Sequence, residues 1–259
     1  MIERLKVAVL ALLSLVGCKM GSFTAESYFE DARQLEAARA ISAGDINRLR
    51  SAVQSIDVNQ PGKSQMTLLW FAFQEEQFEA IKVLVELGSK PDKQIKQGLG
   101  TPIDVALQKR DLRFLKAILD GGFPVNFATD SGTTLLHKAA GPFGASLDHV
   151  RLLVDRGANL EAKDTLGDTA LSAAIAADNP ERAMYLLEKG ASIETYTTRG
   201  ATPAWTVHLI MRRLAPSSEL YRRYDQLRLM MIERGAKDPP DSAETVRQWM
   251  KSKGMFVDE

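Results

Sequence analysis

The stretch Thr134-Leu135-Leu136-His137-Lys138-Ala139 decides how this chain is read, because it recurs four more times. The related stretches are Thr67-Leu68-Leu69-Trp70-Phe71-Ala72, Thr101-Pro102-Ile103-Asp104-Val105-Ala106, Thr169-Ala170-Leu171-Ser172-Ala173-Ala174 and Thr202-Pro203-Ala204-Trp205-Thr206-Val207. Taken in chain order, the five threonines stand 34, 33, 35 and 33 positions apart. A threonine here opens a helix as its cap, proline suits the first turn, and the small alanine lets a neighbouring helix approach. In three units a second apolar stretch ends in glycine 21 residues after the threonine: Val85-Glu86-Leu87-Gly88, Ile118-Leu119-Asp120-Gly121-Gly122 and Leu186-Leu187-Glu188-Lys189-Gly190. Extra residues around Gly141-Pro142-Phe143-Gly144 delay the equivalent Arg156-Gly157-Ala158 by two. Gly88, Gly122, Gly157, Gly190 and Gly235 therefore end second helices, where the backbone turns left-handed. A helix pair of this size cannot bury its apolar face alone, so the period of about 33 residues implies a stack of pairs.

These units resemble the ankyrin repeat, with its Thr-Pro-Leu-His-x-Ala opening, Leu-Leu second helix and closing glycine. The resemblance implies an all-α ankyrin-repeat solenoid of about six helix-turn-helix units, with finger loops and a C-terminal capping helix. The units run near 33-62, 63-95, 96-128, 129-163, 164-196 and 197-237, and residues 238-259 form the cap. The first unit is a degenerate N-terminal cap, read from Leu35 to Ser42 followed by Gly44-Asp45-Ile46-Asn47-Arg48-Leu49. In the last unit Thr202 and Gly235 are 33 positions apart, which places a roughly twelve-residue insertion around Met211 to Tyr224. Beyond Asp238-Pro239-Pro240, the sequence Asp241-Ser242-Ala243-Glu244 reads as a capping box opening a final helix through Lys253.

The N-terminus gives an address. Arg4 and Lys6 precede an apolar run, Val7 to Val16, that leads into Leu15-Val16-Gly17-Cys18, the order of an export signal. That run is about half of the roughly 20 residues needed to cross a bilayer. Leu-Val-Gly-Cys resembles the lipobox of bacterial lipoproteins, which implies signal peptide 1-17, a multiply acylated Cys18, and a tether over 18-32. Tyr28 and Phe29 suggest that the end of this tether packs. Lys19 after the cysteine, in place of the aspartate of inner-membrane retention, implies the outer membrane facing the periplasm. Cys18 is the only cysteine, so packing alone must hold the fold. Without Glu3, Arg4 and Lys6 the chain carries 31 basic against 32 acidic residues, which argues against a nucleic-acid partner.

No catalytic constellation emerges, and neither a metal nor a cofactor is implied. Among the histidines, the repeat resemblance gives His137 a hydrogen bond to backbone between repeats, and His149 is expected on the solvated start of a second helix. HExxH, GxSxG, a phosphate loop and paired-cysteine spacing are all missing from the sequence. The chain is thus expected to bind and not to catalyse, through its fingers and first helices, where ankyrin proteins generally hold proteins.

The matching finger residues include Lys63, Ser64 and Met66; Gln97, Gly98 and Gly100; Asp130, Ser131 and Thr133; Thr165, Leu166 and Asp168; Thr198, Arg199 and Ala201. First-helix candidates are Phe71, Gln74, Glu75, Val105, Gln108, Lys109, Lys138, Ala173 and Ala176. Met66, Phe71 and Leu166 would form an apolar centre within a polar rim, although Phe71 could equally fill the seam between repeats. A second candidate surface is the insertion, with Arg212, Arg213, Tyr221, Arg222, Arg223 and Tyr224, since Arg and Tyr are favoured at hot spots; the alternative is an extended helix with solvated arginines. A lipid-tethered ankyrin array resembles immunity proteins of type VI secretion phospholipase effectors. That resemblance implies an antitoxin that binds a secreted lipase and occludes its active site or membrane docking. The alternative is a periplasmic scaffold supporting an endogenous envelope enzyme.

Overall fold

The computed structural model describes residues 24–93, 100–142 and 146–258. Among these residues the chain forms fourteen α-helices, one 3-10 turn and one isolated bridge between Ala128 and Thr134. They divide into two compact units, one ending at Ala106 but also taking in Arg113–Phe123, the other made of Leu107–Leu112 and everything from Pro124 onward. The signal segment and Cys18 lie outside the described residues.

The first unit is built from α1 (Ala25–Tyr28), α2 (Ala32–Ala43), α3 (Ile46–Val53), α4 (Leu68–Gln74), α5 (Phe78–Glu86), most of α6 (Pro102–Gln108) and α7 (Arg113–Asp120). Asp31 opens α2 by accepting the N–H groups of Arg33 and Gln34, and Gly44 stops it at φ 67. The degenerate first unit is therefore present as the pair α2 and α3. Thr67 caps α4 by accepting the Trp70 N–H at 3.3 Å, as the repeat pattern requires. Helix α2 packs on α3 and α4, α4 on α5, and α5 on α7. Leu68, Leu69, Ile81, Leu84, Phe114 and Ile118 are buried between them.

The described end of the expected tether packs, as Tyr28 and Phe29 suggest. Ala25 and Phe29 are buried, and the Phe29 ring meets Phe71 edge-on at 5.7 Å. Gly62 permits this contact, since a Cβ there would lie 2.3 Å from the Tyr28 carbonyl oxygen. Phe71 itself is fully buried, so it leaves the candidate binding surface and takes the seam role.

The second unit holds α8 (Leu135–Ala140), α9 (Leu147–Asp155), α10 (Ala170–Ala176), α11 (Pro180–Glu188), α12 (Pro203–Met211), α13 (Glu219–Glu233) and α14 (Ala243–Ser252). Thr134, Thr169 and Thr202 accept the N–H groups of His137, Ser172 and Trp205. Gly157, Gly190 and Gly235 end the second helices at φ 82, 96 and 98, a region that costs side-chain-bearing residues strain. Part of the insertion became helix: α13 has 15 residues where α9 and α11 have nine, while residues 212–218 form the turn before it. The final helix starts one residue later than its box implied, because Ser242 and not Asp241 accepts the Thr245 N–H, while Glu244 pairs with Arg247.

Two further corrections concern burial. His149 is not solvated; it is fully buried, with its Nδ1 3.4 Å from the Ser146 N–H in a capping box. Tyr224 is also fully buried, its hydroxyl donating to the Ile175 carbonyl at 2.9 Å, so it leaves the second candidate surface.

Candidate functional site

The fingers of the second unit are tight turns fixed by their own backbone. In the middle one Asp164 N–H donates to Asp168 O, Gly167 N–H donates to Asp164 O, and the Asp164 carboxylate accepts from Leu166 N–H and Asp168 N–H, each at 2.9 Å. Turns held from both sides present side chains at their tips with little conformational freedom left to lose on binding.

Adjacent fingers are joined in register. Thr165 N–H donates to Ser131 O at 2.9 Å, and Thr198 N–H donates to Leu166 O at 2.8 Å. The glycines allow this approach: a Cβ on Gly132 would sit 2.9 Å from the Asp164 Cα, and one on Gly167 would sit 3.0 Å from the Tyr196 carbonyl oxygen. His137 ties helix to finger as well, with Nε2 2.8 Å from Asp168 O and Nδ1 2.7 Å from Thr134 Oγ1, the backbone role its motif position implied. Burial and the neighbouring Asp164 carboxylate raise the Asp168 carboxyl above its ordinary 3.8, with His137 opposing them.

The ladder then continues into the C-terminal tail. Asp258 N–H donates to Thr198 O at 3.0 Å, its carboxylate pairs with Arg199 at 3.1 Å, and Arg247 donates to the Arg199 carbonyl. Thr198 and Arg199 are thus engaged by the chain's own tail, which fills the place of a next finger. The remaining finger residues of this unit stay accessible: Asp130, Ser131, Thr165 and Leu166 are exposed, Leu166 at 53%, and Asp168 is half-buried.

On the first helices of this unit Lys138 and Ala173 are half-buried and Ala176 is exposed. Helix α12 adds a pair the motif reading passed over, Trp205 and His208, both half-buried, with rings stacked at 5.5 Å. Its signal was their spacing of three on a helix, which puts side chains on one face. The insertion arginines are held along α13: Arg222 pairs with Glu219, and Arg223 with Glu219 and Glu181. Arg212 and Arg213 are exposed in the turn before it, and Tyr221 is half-buried. Gln108 is exposed and Lys109 half-buried.

In the first unit Lys63 and Gln74 are exposed, while Met66 and Glu75 are half-buried. Lys63 pairs with Glu30 at 2.6 Å. Gln97 and Gly98 lie outside the described residues. Sequence reading also missed a recurring clamp between successive repeats. Asn59 donates to Gly88 O and accepts from Lys90 N–H, Asn126 does the same with Gly157 O and Asn159 N–H, and Glu161 accepts from Ser192 N–H.

Among the described residues no group of three His, Cys, Asp or Glu side chains is placed to hold a metal ion, and no helix is long and apolar enough to cross a membrane.

Residues 103–197 match the family described as ankyrin repeats in three copies. Over 173 residues the chain is 28% identical to Protein PhlB of Serratia liquefaciens, covering 64% of this chain and 75% of that protein. Over 114 residues, 42% of the chain, it is 31% identical to ankyrin repeat and SOCS box protein 6 of Homo sapiens, of which it spans 27%. The crystal structure of the ankyrin repeat domain of Bcl-3, described as a unique member of the IkappaB protein family, aligns with a TM-score of 0.60 at 20% identity, over 81% of this chain and 90% of that one. An ankyrin repeat domain from Acinetobacter baumannii AYE aligns with a TM-score of 0.56 at 22% identity, over 78% and 98%. The fold is an all-α ankyrin-repeat fold, an architecture that typically serves as a protein-interaction scaffold and not as an enzyme.

Proposed function

We propose that this chain is a lipid-tethered, periplasm-facing immunity protein that binds a toxic secreted effector of the phospholipase class and neutralises it. The observation that carries the binding reading is the finger edge of the second unit, where Asp130, Ser131, Thr165 and Leu166 are exposed on turns locked by backbone hydrogen bonds. Leu166 supplies the apolar anchor, and the polar tips around it supply the rim. A standard interface of about 1,200–2,000 Å² laid along that edge covers an active-site mouth or the surface by which a lipase meets its membrane. The address comes from Leu15-Val16-Gly17-Cys18, which would hold the binder where an incoming lipase acts.

The test is growth of bacteria that express a secreted phospholipase effector in their periplasm, with and without this chain. Restored growth is expected, and Leu166→Asp should reduce protection while leaving the circular dichroism unchanged. Unchanged killing in the presence of the parent chain refutes the immunity reading. Membrane fractionation of Cys18→Ser tests the anchor separately: the variant should move to the soluble fraction, and retention in the membrane refutes lipidation.

A further inference from the structure

The last finger of the second unit is covered twice. In the two fingers before it, the residue ahead of the glycine lends its carbonyl to the next finger: Ser131 O accepts the Thr165 N–H, and Leu166 O accepts the Thr198 N–H. The same position in the last finger is Arg199, ahead of Gly200, and its carbonyl accepts from Nη1 of Arg247 on α14 at 2.9 Å. That contact closes the ladder in register. Residues 255–258 then lie over the same finger again, with Asp258 N–H donating to Thr198 O at 3.0 Å, one residue earlier than the ladder runs. They are a second cover on a finger that α14 already closes.

Little holds this second cover down. Met255 and Phe256 are exposed and Val257 and Asp258 only half-buried, so the segment contributes no side chain to the core. Besides the Thr198 rung, Asp258 pairs with Arg199 at 3.1 Å, and the Tyr196 hydroxyl lies 3.3 Å from the Met255 sulfur. The Arg199 and Asp258 side chains are 72% and 40% exposed, and ion pairs so placed contribute little. Gly254, at φ 69, is the point where the segment leaves α14. Lifting residues 255–258 leaves the buried Met250 and the Arg247 contact of α14 in place. It uncovers Thr198 O as an acceptor and the Arg199 guanidinium as a donor, next along the ladder from the exposed Asp130, Ser131, Thr165 and Leu166.

We propose that residues 255–258 are a displaceable strap, and that an acidic side chain on an extended segment of the protein partner takes the place of Asp258 on Arg199. The strap itself shows what the site accepts: a carboxylate on the guanidinium, with the N–H of the same residue on Thr198 O. A guanidinium and a carboxylate make the stronger, charge-assisted kind of hydrogen bond, which favours this occupant over a neutral one. The proposal rests on the reading of the finger edge as the partner-binding surface and lengthens that edge by one finger. A partner lacking the carboxylate would open the strap without replacing its contacts, so the strap selects as well as covers.

The test uses the full chain throughout. By NMR hydrogen exchange, the Asp258 amide should exchange only about ten- to a hundredfold more slowly than in an unfolded peptide, and the Leu187 amide of α11 far more slowly still. Asp258→Pro removes the N–H and the carboxylate together; its melting temperature should match the parent's. A peptide of residues 254–258, acetylated and amidated, should shift the Gly200 amide resonance of that variant, and the same peptide with asparagine in place of the aspartate should not. Asp258→Pro should also bind the phospholipase effector of the growth test about tenfold more tightly than the parent, because no strap competes, and Arg199→Glu should bind it more weakly. An Asp258 amide as protected as that of Leu187 overturns the proposal, as does a peptide that leaves Gly200 unmoved at millimolar concentration. Equal effector binding by the parent and Asp258→Pro overturns it too and leaves the immunity reading standing. Effector binding by neither chain refutes the immunity reading alone, and the exchange and peptide measurements then decide the strap.

Discussion

Removing one oxygen atom tests whether α13 is a packed element or a binding surface. Tyr224 is fully buried, and its hydroxyl donates to the Ile175 carbonyl at 2.9 Å with the Asp178 carboxylate 3.3 Å away. Burial, reinforced by that carboxylate, pushes the phenol well above its usual range, so the group stays a donor at every practical pH. Tyr224→Phe keeps the ring and deletes only the hydroxyl. The Ile175 carbonyl is not orphaned, because Asp178 N–H also donates to it at 3.1 Å, and Asp178 is exposed, so its carboxylate turns to water. The cost is then that of one net hydrogen bond, about 0.5–1.5 kcal/mol, and not the larger penalty of a stranded acceptor. Tyr224→Ala removes the ring as well and costs about 3–5 kcal/mol.

Thermal unfolding followed by far-ultraviolet circular dichroism separates the two substitutions. At about 2–4 °C per kcal/mol for a chain of this size, the Phe variant falls by about 3 °C and the Ala variant by about 10 °C. Three equal melting temperatures would refute the reasoning and return Tyr224 to the surface. A Phe variant as unstable as the Ala variant would show instead that Ile175 has no second donor.

Three further outcomes follow from the same contacts. Gly200→Ala should release the C-terminal cap, since Gly200 has φ +77 and a Cβ there would lie 2.5 Å from the Ala243 carbonyl oxygen; limited proteolysis should then cut within α14, and a cap as resistant as the parent's would contradict the close approach. Asp168→Asn should stabilise the fold at neutral pH. The folded carboxyl sits above its ordinary 3.8, so the ionised form is penalised in the folded state at higher pH; the gain should fade as pH falls toward 3.8, and a gain that grew in acid would reverse the assignment. Phe71→Ala should cost about 3–5 kcal/mol in urea unfolding, because the side chain is fully buried against Phe29 and Tyr28, and a neutral effect would restore it to the binding surface.

What the sequence reveals is what local chemistry demands at fixed spacing. Thr67, Thr134, Thr169 and Thr202 each cap a helix within three residues of themselves, and Gly88, Gly157, Gly190 and Gly235 each supply a left-handed turn at one position. Such requirements are written where they act, so the repeat is legible from five short strings. Burial is set by residues far away in sequence. Phe71 looks like an exposed anchor until Phe29, 42 positions earlier, is found against it. Tyr224 reads with the arginines around it, but its partner Ile175 lies 49 residues before it. His149 carried no marker of burial either, because its neighbours Asp148 and Arg151 are charged and exposed while it faces inward one helical position away. The inserted segment contributes turns to α13, where no helix breaker stands between Ser218 and Glu233, while residues 212–218, which include Pro216, stay a turn.

The C-terminal tail sharpens the distinction between closing a stack and adding a surface. A terminal unit that only ends an array needs a polar outer face, because its sole duty is to meet water. Here the closing work is done by backbone and charge: Asp258 N–H completes the rung on Thr198 O, Arg247 holds the Arg199 carbonyl, and Met250 is the buried side chain of α14. Trp249 and Phe256 contribute exposed rings to that arrangement without being needed for any of those bonds. Polar residues at both positions would leave the rung, the arginine contact and the Met250 packing intact and would improve solubility. The backbone rung and the arginine contact, and not the exposed rings, therefore hold the tail against the last finger.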